Sequence, residues 1–264
     1  DPARIVKLAL AEALSAEELD LPAAAVRVQS EVPVGAGFGS SASVAVAVGA
    51  ALRMLLDGEL RLEAIERIAR EVERREHGRP SGVDHSTVLH GGVLWMERSP
   101  GGDLVQRRLA GLESALDGFA VFDSGRPTET TGEMVEAVRR RFAGRPEQLE
   151  AILDAMERDV RALGDWLGEE RREPRLLVEL LRDFERRLEA LQVVPPALRE
   201  LVRRVEAAGG AAKISGAGAL SGTAAGSLLV YHPERPPGSL SCLAGLRALE
   251  ADLGVSGVEI EEAA

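Results

Sequence analysis

The stretch Pro33-Val34-Gly35-Ala36-Gly37-Phe38-Gly39-Ser40-Ser41-Ala42 puts glycine at every second position and then runs straight into an apolar segment, 40–56. Glycine takes positive φ without steric cost and lets backbone approach a ligand closely, so this spacing reads as a turn rather than as a regular element. The segment after it is apolar on nearly all sides, which reads as a buried helix. The turn therefore ends at a helix N-terminus, where free N–H groups and the helix dipole favour an anion. Ser40 or Ser41 is expected to cap that helix, and both hydroxyls could also face a phosphate or its Mg2+. A glycine-rich strand-to-helix turn with a serine cap accounts for the same residues without any ligand. This feature alone leaves both readings open.

Two familiar nucleotide patterns do not fit. A Walker A loop needs lysine before its Ser/Thr, and here Gly39 is followed by Ser40 and Ser41. A dinucleotide fingerprint needs G-x-G-x-x-G, a spacing that Gly35, Gly37 and Gly39 lack. A second glycine loop, Lys213-Ile214-Ser215-Gly216-Ala217-Gly218-Ala219-Leu220-Ser221-Gly222, lies between two expected strands. Two anion-suited loops in one chain favour a phosphate ligand.

Charge limits the partners. At a net charge of −11 the 264-residue chain does not suit nucleic acid, which needs a basic face, and an anionic ligand must be held by a local device. Cys242 is the single cysteine, so neither an intrachain disulfide nor a cysteine metal cluster can form. No uncharged apolar run of membrane-spanning length and no signal peptide is read, and the expectation is a cytoplasmic protein with no membrane partner. Asparagine is absent and the only lysines are Lys7 and Lys213, a composition in keeping with a GC-rich genome.

Along the chain, helical spacing covers 4–19, 40–56 and 61–76, and period-two alternation in 25–32 reads as a strand. Residues 91–97 and 119–125 read as strands, and four helices follow between about 129 and 208. Strands are expected at 211–215, 227–232 and 258–262, with a helix over 241–254. Strands alternate with helices at both ends around a helical centre, so the class is α/β or α+β. The length fits two domains, with a boundary near Ser124–Thr128. The helical stretch could also mediate dimerisation.

Residues 71–92 hold His77, His85 and His90, spaced 8 and 5 apart, which matches no common zinc pattern. The carboxylates are more informative. Glu73 ends a charged helix and could be part of a solvated face, as Glu71 and Glu76 are expected to be. Asp84 follows the break at 78–82 and could be a first-turn helix acid. Read functionally, one acid holds Mg2+ on nucleotide phosphates while the other accepts or orients the proton of a substrate hydroxyl during phosphoryl transfer.

Together these motifs resemble the GHMP kinases. Pro33-x-x-x-Gly37-Phe38-Gly39-Ser40-Ser41-Ala42 is similar to their phosphate loop, and Lys213-Ile214-Ser215-Gly216-Ala217-Gly218 to their C-terminal glycine motif. Glu73-x-x-x-His77-Gly78-x-Pro80-Ser81-Gly82-Val83-Asp84 and Asp123-Ser124-Gly125-Arg126-Pro127-Thr128-Glu129-Thr130 resemble segments of the mevalonate kinases. The resemblance implies an α+β (two-layer α/β) fold, with a ribosomal-protein S5 domain 2-like N-terminal domain over 1–125 and a ferredoxin-like C-terminal domain over 126–264. It implies ATP-dependent phosphorylation of a small-molecule hydroxyl in isoprenoid precursor synthesis, mevalonate being the first-choice acceptor and phosphomevalonate, homoserine or a sugar the alternatives. A related decarboxylase or a non-catalytic ligand-binding relative is the further alternative.

Carried over, the resemblance implies ATP contacts from Pro33, Gly35, Gly37, Phe38, Gly39, Ser40, Ser41, Ala42, Gly216, Ala217 and Gly218. It implies Mg2+ on Ser41 and Glu73, Asp84 as the base, and substrate contacts from His77, Gly82, Asp84 and Thr130. Two departures stand out. The family begins with a β-rich segment well upstream of its phosphate loop, whereas about thirty residues precede the loop here, so the chain is expected to be a fragment without that segment and without the part of the nucleotide and substrate pockets that it supplies. Ala219 also stands where relatives carry further glycine.

Overall fold

The structure, a computed structural model, describes residues 3–15, 25–78, 81–112 and 115–261. It divides into two compact units, one of Asp1–Val34, Gly39–Gly111 and Leu253–Ala264, the other of Gly35–Phe38 and Leu112–Asp252.

The first unit is built on helix α2 (Ser40–Asp57), against which α1 (Arg4–Ser15), α3 (Leu62–His77) and α4 (Val83–His90) all pack. By length and composition α2 could cross a membrane, but Ala45, Val46, Val48 and Leu52 are buried with Ala9 and Ala13 of α1 and Ile65, Ile68 and Val72 of α3. That interlock is what an all-apolar helix needs in water. A hairpin of β1 (Val93–Arg98) and β2 (Leu104–Leu109) completes the unit, with Val93 opposite Leu109 and Arg98 opposite Leu104.

The second unit carries a four-stranded antiparallel sheet in the order β4-β5-β3-β6, formed by β3 (Phe119–Asp123), β4 (Ala211–Ser215), β5 (Ser227–Tyr231) and β6 (Arg247–Leu249). Four helices lie between β3 and β4: α5 (Thr131–Phe142), α6 (Pro146–Gly168), α7 (Pro174–Ala190) and α8 (Pro196–Ala207). Helices α7 and α8 pack on β4. Phe122, Ile214, Leu228 and Val230 of the sheet meet Leu198, Val202 and Val205 of α8 in a single core. In this unit the first and third strands lie at the centre of the sheet and the second and fourth at its edges, the order of a ferredoxin-like sheet.

Four sequence expectations fail locally. Residues 25–31 form no strand, and Val26 and Val28 are 49% and 43% exposed. Alternation makes a strand only where a neighbour supplies hydrogen bonds, and among the described residues no strand pairs with this segment. Strand β2 goes unread because its two arginines mask the apolar alternation, although the preceding Ser99-Pro100-Gly101-Gly102-Asp103 turn signals a hairpin. The helix expected over 241–254 is replaced by two short 3-10 turns, Pro237–Ser239 and Ser241–Leu243, and by β6. Leu243, Leu246 and Leu249 are spaced for a helix, but pairing with β3 at the sheet edge wins. Residues 258–261 are not a strand either. This terminal segment is tied to the end of α4 instead, with Gly92 N–H donating to Val255 O at 2.7 Å and Val258 N–H to Leu89 O at 3.1 Å.

Candidate active site

Helix α2 begins without a side-chain cap. Gly39 occupies the cap position at φ 67°, and Ser40 is already helical, so the serine cap expected from the sequence does not form. The hydroxyl of Ser43 donates back to Gly39 O at 3.1 Å, along the helix rather than across its mouth. The first-turn amides, those of Ser40, Ser41 and Ala42, therefore compete with no side-chain oxygen for a ligand, and the dipole there is positive.

In the same unit, α3 carries Glu73 and α4 carries Asp84, and the two helices pack on one another. Glu73 is not on a solvated face: it is 5% exposed and accepts a hydrogen bond from Nδ1 of His85, itself 1% exposed, at 2.9 Å. With Nδ1 as the donor, the carboxylate accepts at Oε2. The other Glu73 oxygen, Oε1, is buried and has no hydrogen-bond partner among the described residues, and neither has the buried hydroxyl of Ser86. His85 sits in the first turn of α4 beside Asp84, so this bond holds the Asp84 turn against α3. Asp84 is exposed. Glu71 pairs with Arg74 and Arg75, and the Arg74 guanidinium holds its carboxyl down at about 2. Glu76, read from sequence as solvated, is instead mostly covered and paired with Arg4 at 3.0 Å.

Gly82 opens α4 at φ 89°, a left-handed backbone that favours glycine. A Cβ there would lie 2.8 Å from Leu104 Cδ2, so the missing side chain makes room for Leu104, while His85 Cε1 at 3.9 Å would stand at ordinary contact distance. The side chain of His77 and all of Arg79 and Pro80 lie outside the described residues.

In the second unit, the residues Gly35–Phe38 lie directly on the other glycine motif. A Cβ on Gly37 (φ 76°) would come within 3.2 Å of Ser215 O, and one on Gly216 within 3.5 Å of Gly37 Cα. Gly226 closes the same junction, its would-be Cβ 2.4 Å from Ala36 O. Ser124 locks Gly226 in place by donating its hydroxyl to Gly226 O at 2.7 Å while accepting Ala225 N–H at 3.0 Å. Ser227 donates to Ser215 O at 3.1 Å. Gly218 is buried against Val193 O, and Ala219 N–H donates to that same carbonyl at 2.9 Å, so Ala219 keeps the loop's backbone bond. Pro33 and Phe38 are half-buried, as is Ala217. Two motifs some 180 residues apart thus form one backbone-to-backbone packing.

Thr130 has a structural task. Its hydroxyl accepts Glu133 N–H at 3.3 Å and donates to Glu133 Oε2 at 2.9 Å, while its amide donates to the same carboxylate at 2.7 Å. This is a complete capping box on α5. The residues that sequence reading left without a role are His85, Ser124, Gly226 and Ser227. Only Ser124 carried a signal, through its place in Asp123-Ser124-Gly125.

Residues 4–92 match the GHMP kinases N terminal domain family. The chain is 33% identical over 219 residues to the mevalonate kinase of Pyrococcus abyssi, covering 80% of this chain and 61% of that protein. It is 32% identical over 190 residues to the mevalonate kinase of Archaeoglobus fulgidus, covering 72% of this chain and 59% of that one. It therefore spans less than two thirds of the length of these relatives. A crystal structure of mevalonate kinase superposes with a TM-score of 0.73 at 19% identity, over 94% of this chain and 74% of that one, a likeness of fold. Family match, sequence relatives and shared fold agree with the glycine loops and buried acid: the chain belongs to the GHMP kinases.

Proposed function

We propose that the chain belongs to an ATP-dependent kinase that phosphorylates an alcohol, with mevalonate as acceptor and 5-phosphomevalonate as product. The observation that carries this reading is the buried Glu73–His85 bond, which ties the Asp84 turn to a carboxylate suited to a cation. The names of the sequence relatives support mevalonate as the acceptor.

In this reading the amides of Gly37 to Ser41 bind the ATP phosphates, Pro33, Gly35, Phe38 and Ala42 belong to the same loop, and Gly216, packed on Gly37, contacts the nucleotide with Ala217 and Gly218. Asp84 takes or orients the proton of the substrate hydroxyl as its oxygen attacks the terminal phosphorus. This reading also assigns substrate contacts to Gly82 and His77. The residues fit Mg2+: Glu73 keeps one buried oxygen without a partner, and the Ser41 hydroxyl lies in the first turn of α2. Among the described residues no three acidic, histidine or cysteine side chains converge, so the donor set suits a hard cation that takes most ligands from phosphate and water. When bound, Mg2+ would neutralise charge on the phosphates. Thr130 would reach substrate only by giving up part of its cap on α5.

ADP release from the protein with mevalonate, phosphomevalonate, homoserine and galactose tests the acceptor, with turnover expected for mevalonate. Asp84→Ala should lower turnover by roughly three orders of magnitude with ATP binding intact. Glu73→Gln should weaken Mg2+-dependent turnover strongly, whereas Glu76→Gln should leave it near wild type. Equal effects at 73 and 76, or an active Asp84→Ala, would overturn the reading.

A further inference from the structure

Glu73 raises a question that a solvated metal ligand would not. Leaving a buried carboxylate oxygen without a partner is unfavourable, and Oε1 of Glu73 has none among the described residues. Its sister Oε2 is held, among the described residues, by His85. The His85 ring has little freedom: it is 1% exposed, and its Cε1 lies against the face of Gly82, 3.9 Å from where a Cβ would stand. With both partners shielded from water, no solvent exchange loosens the bond, and the rotation of the Glu73 carboxylate is set by the imidazole.

We infer that His85 is a positioning residue: by donating Nδ1–H to Oε2 it fixes the Glu73 carboxylate and leaves Oε1 as the one oxygen available to a divalent cation. This rests on the reading of Glu73 as a cation ligand. Partners that orient a ligating side chain this way are worth about 10–100-fold in metal affinity. Nothing in the GHMP glycine motifs or in Asp84 supplies this function. It depends on a histidine directly after the aspartate.

The geometry supplies a discriminating pair of variants. The amide nitrogen of asparagine falls where Nδ1 of histidine does, so His85→Asn keeps a donor for Oε2. The donor of glutamine falls nearer Nε2, so His85→Gln keeps polarity and bulk but misplaces the hydrogen bond. Mn2+ binding, followed by electron paramagnetic resonance with a non-hydrolysable ATP analogue, reads the cation site without turnover, and thermal melting checks the fold. The expectation is affinity within about threefold of wild type for His85→Asn and a 10–100-fold loss for His85→Gln at a similar melting temperature. Glu73→Gln should lose the site altogether. Equal Mn2+ affinity in wild type and His85→Gln would overturn the role of His85 and leave Glu73 standing. Equal losses in both variants, tracking a fall in melting temperature, would mark the bond as structural only. Mn2+ binding that survives Glu73→Gln unchanged, or is missing in wild type, would overturn both this inference and the cation reading beneath it.

Discussion

Gly39 and Gly226 both adopt a left-handed backbone, yet a methyl group added to each meets different surroundings. At Gly39 (φ 67°) there is nothing within 4 Å, so Gly39→Ala bears backbone strain of only about 1–2 kcal/mol. At Gly226 (φ 84°) the same methyl would lie 2.4 Å from Ala36 O and 2.9 Å from Ala36 C, both backbone atoms with no flexible end to move. Gly226→Ala adds overpacking of about 1–3 kcal/mol to the strain and pushes Ala36 and Gly37 away. ATP titration by calorimetry should find Gly39→Ala within severalfold of wild type, and Gly226→Ala weaker by at least tenfold. The reverse order would show that the packing of 36–37 on 226 does not shape the phosphate loop. Gly226 could not be picked out of the sequence, because its neighbour is almost 190 residues away. Glu73 could have been placed better. It stands four residues after Ala69 and one after Val72, both buried, and so continues the apolar face of α3 rather than its charged one.

At the scale of elements, long helices were legible and short edge strands were not. Helices α6, α7 and α8 each open with proline in the first turn and keep a clear apolar stripe, so their sequence carries both start and face. Strand β6 has three residues and exists because β3 offers an edge, a fact that no local window contains. Helix α5 carries the most complete cap, and Thr130 there has been given two readings, helix cap and substrate contact. The amide and hydroxyl of Thr130 hold the Glu133 carboxyl below its usual range, so the box is strongest with that side chain ionised. Removing the hydroxyl in Thr130→Ala should lower stability by about 1 kcal/mol, while Thr130→Ser should stay within a few tenths. Urea denaturation measures both. If Thr130 also touches substrate, Thr130→Ala raises KM for mevalonate beyond what Thr130→Ser does. An unchanged KM in both leaves the cap as its whole function.

For the molecule as a whole, the acidic balance, the α+β class and the order of motifs could be read from sequence, whereas acids that lie inside pass at first sight for charges on helix faces. Glu185 is the clearest case. On α7 it looks like one charge among many, yet it is fully buried, and its Oε2 accepts Ile214 N–H at 3.0 Å on the outer edge of β4. Burial pushes its carboxyl up to about 8, against the pull of the Ile214 hydrogen bond and the charge of Lys213; Glu189 adds to the rise and Arg203 opposes it. Burial in turn lowers Lys213, and Glu185 opposes that shift. Below about 4.5 Glu185 holds its proton whether the chain is folded or not. Between 4.5 and 8 only the folded chain keeps it, so unfolding releases a proton and stability falls by up to about 1.4 kcal/mol for each pH unit. Above 8 both states are ionised and the slope ends. Glu185→Gln keeps an acceptor for Ile214 without a charge to bury. It should therefore lose this slope and exceed wild type in stability at pH 8.5, by an amount on the order of a few kcal/mol. Urea unfolding at pH 5.5, 7.0 and 8.5 compares the two, with the difference expected to widen as pH rises. Parallel curves would mean that Glu185 ionises in the folded protein as readily as in the unfolded chain, and that β4 is held by the sheet alone.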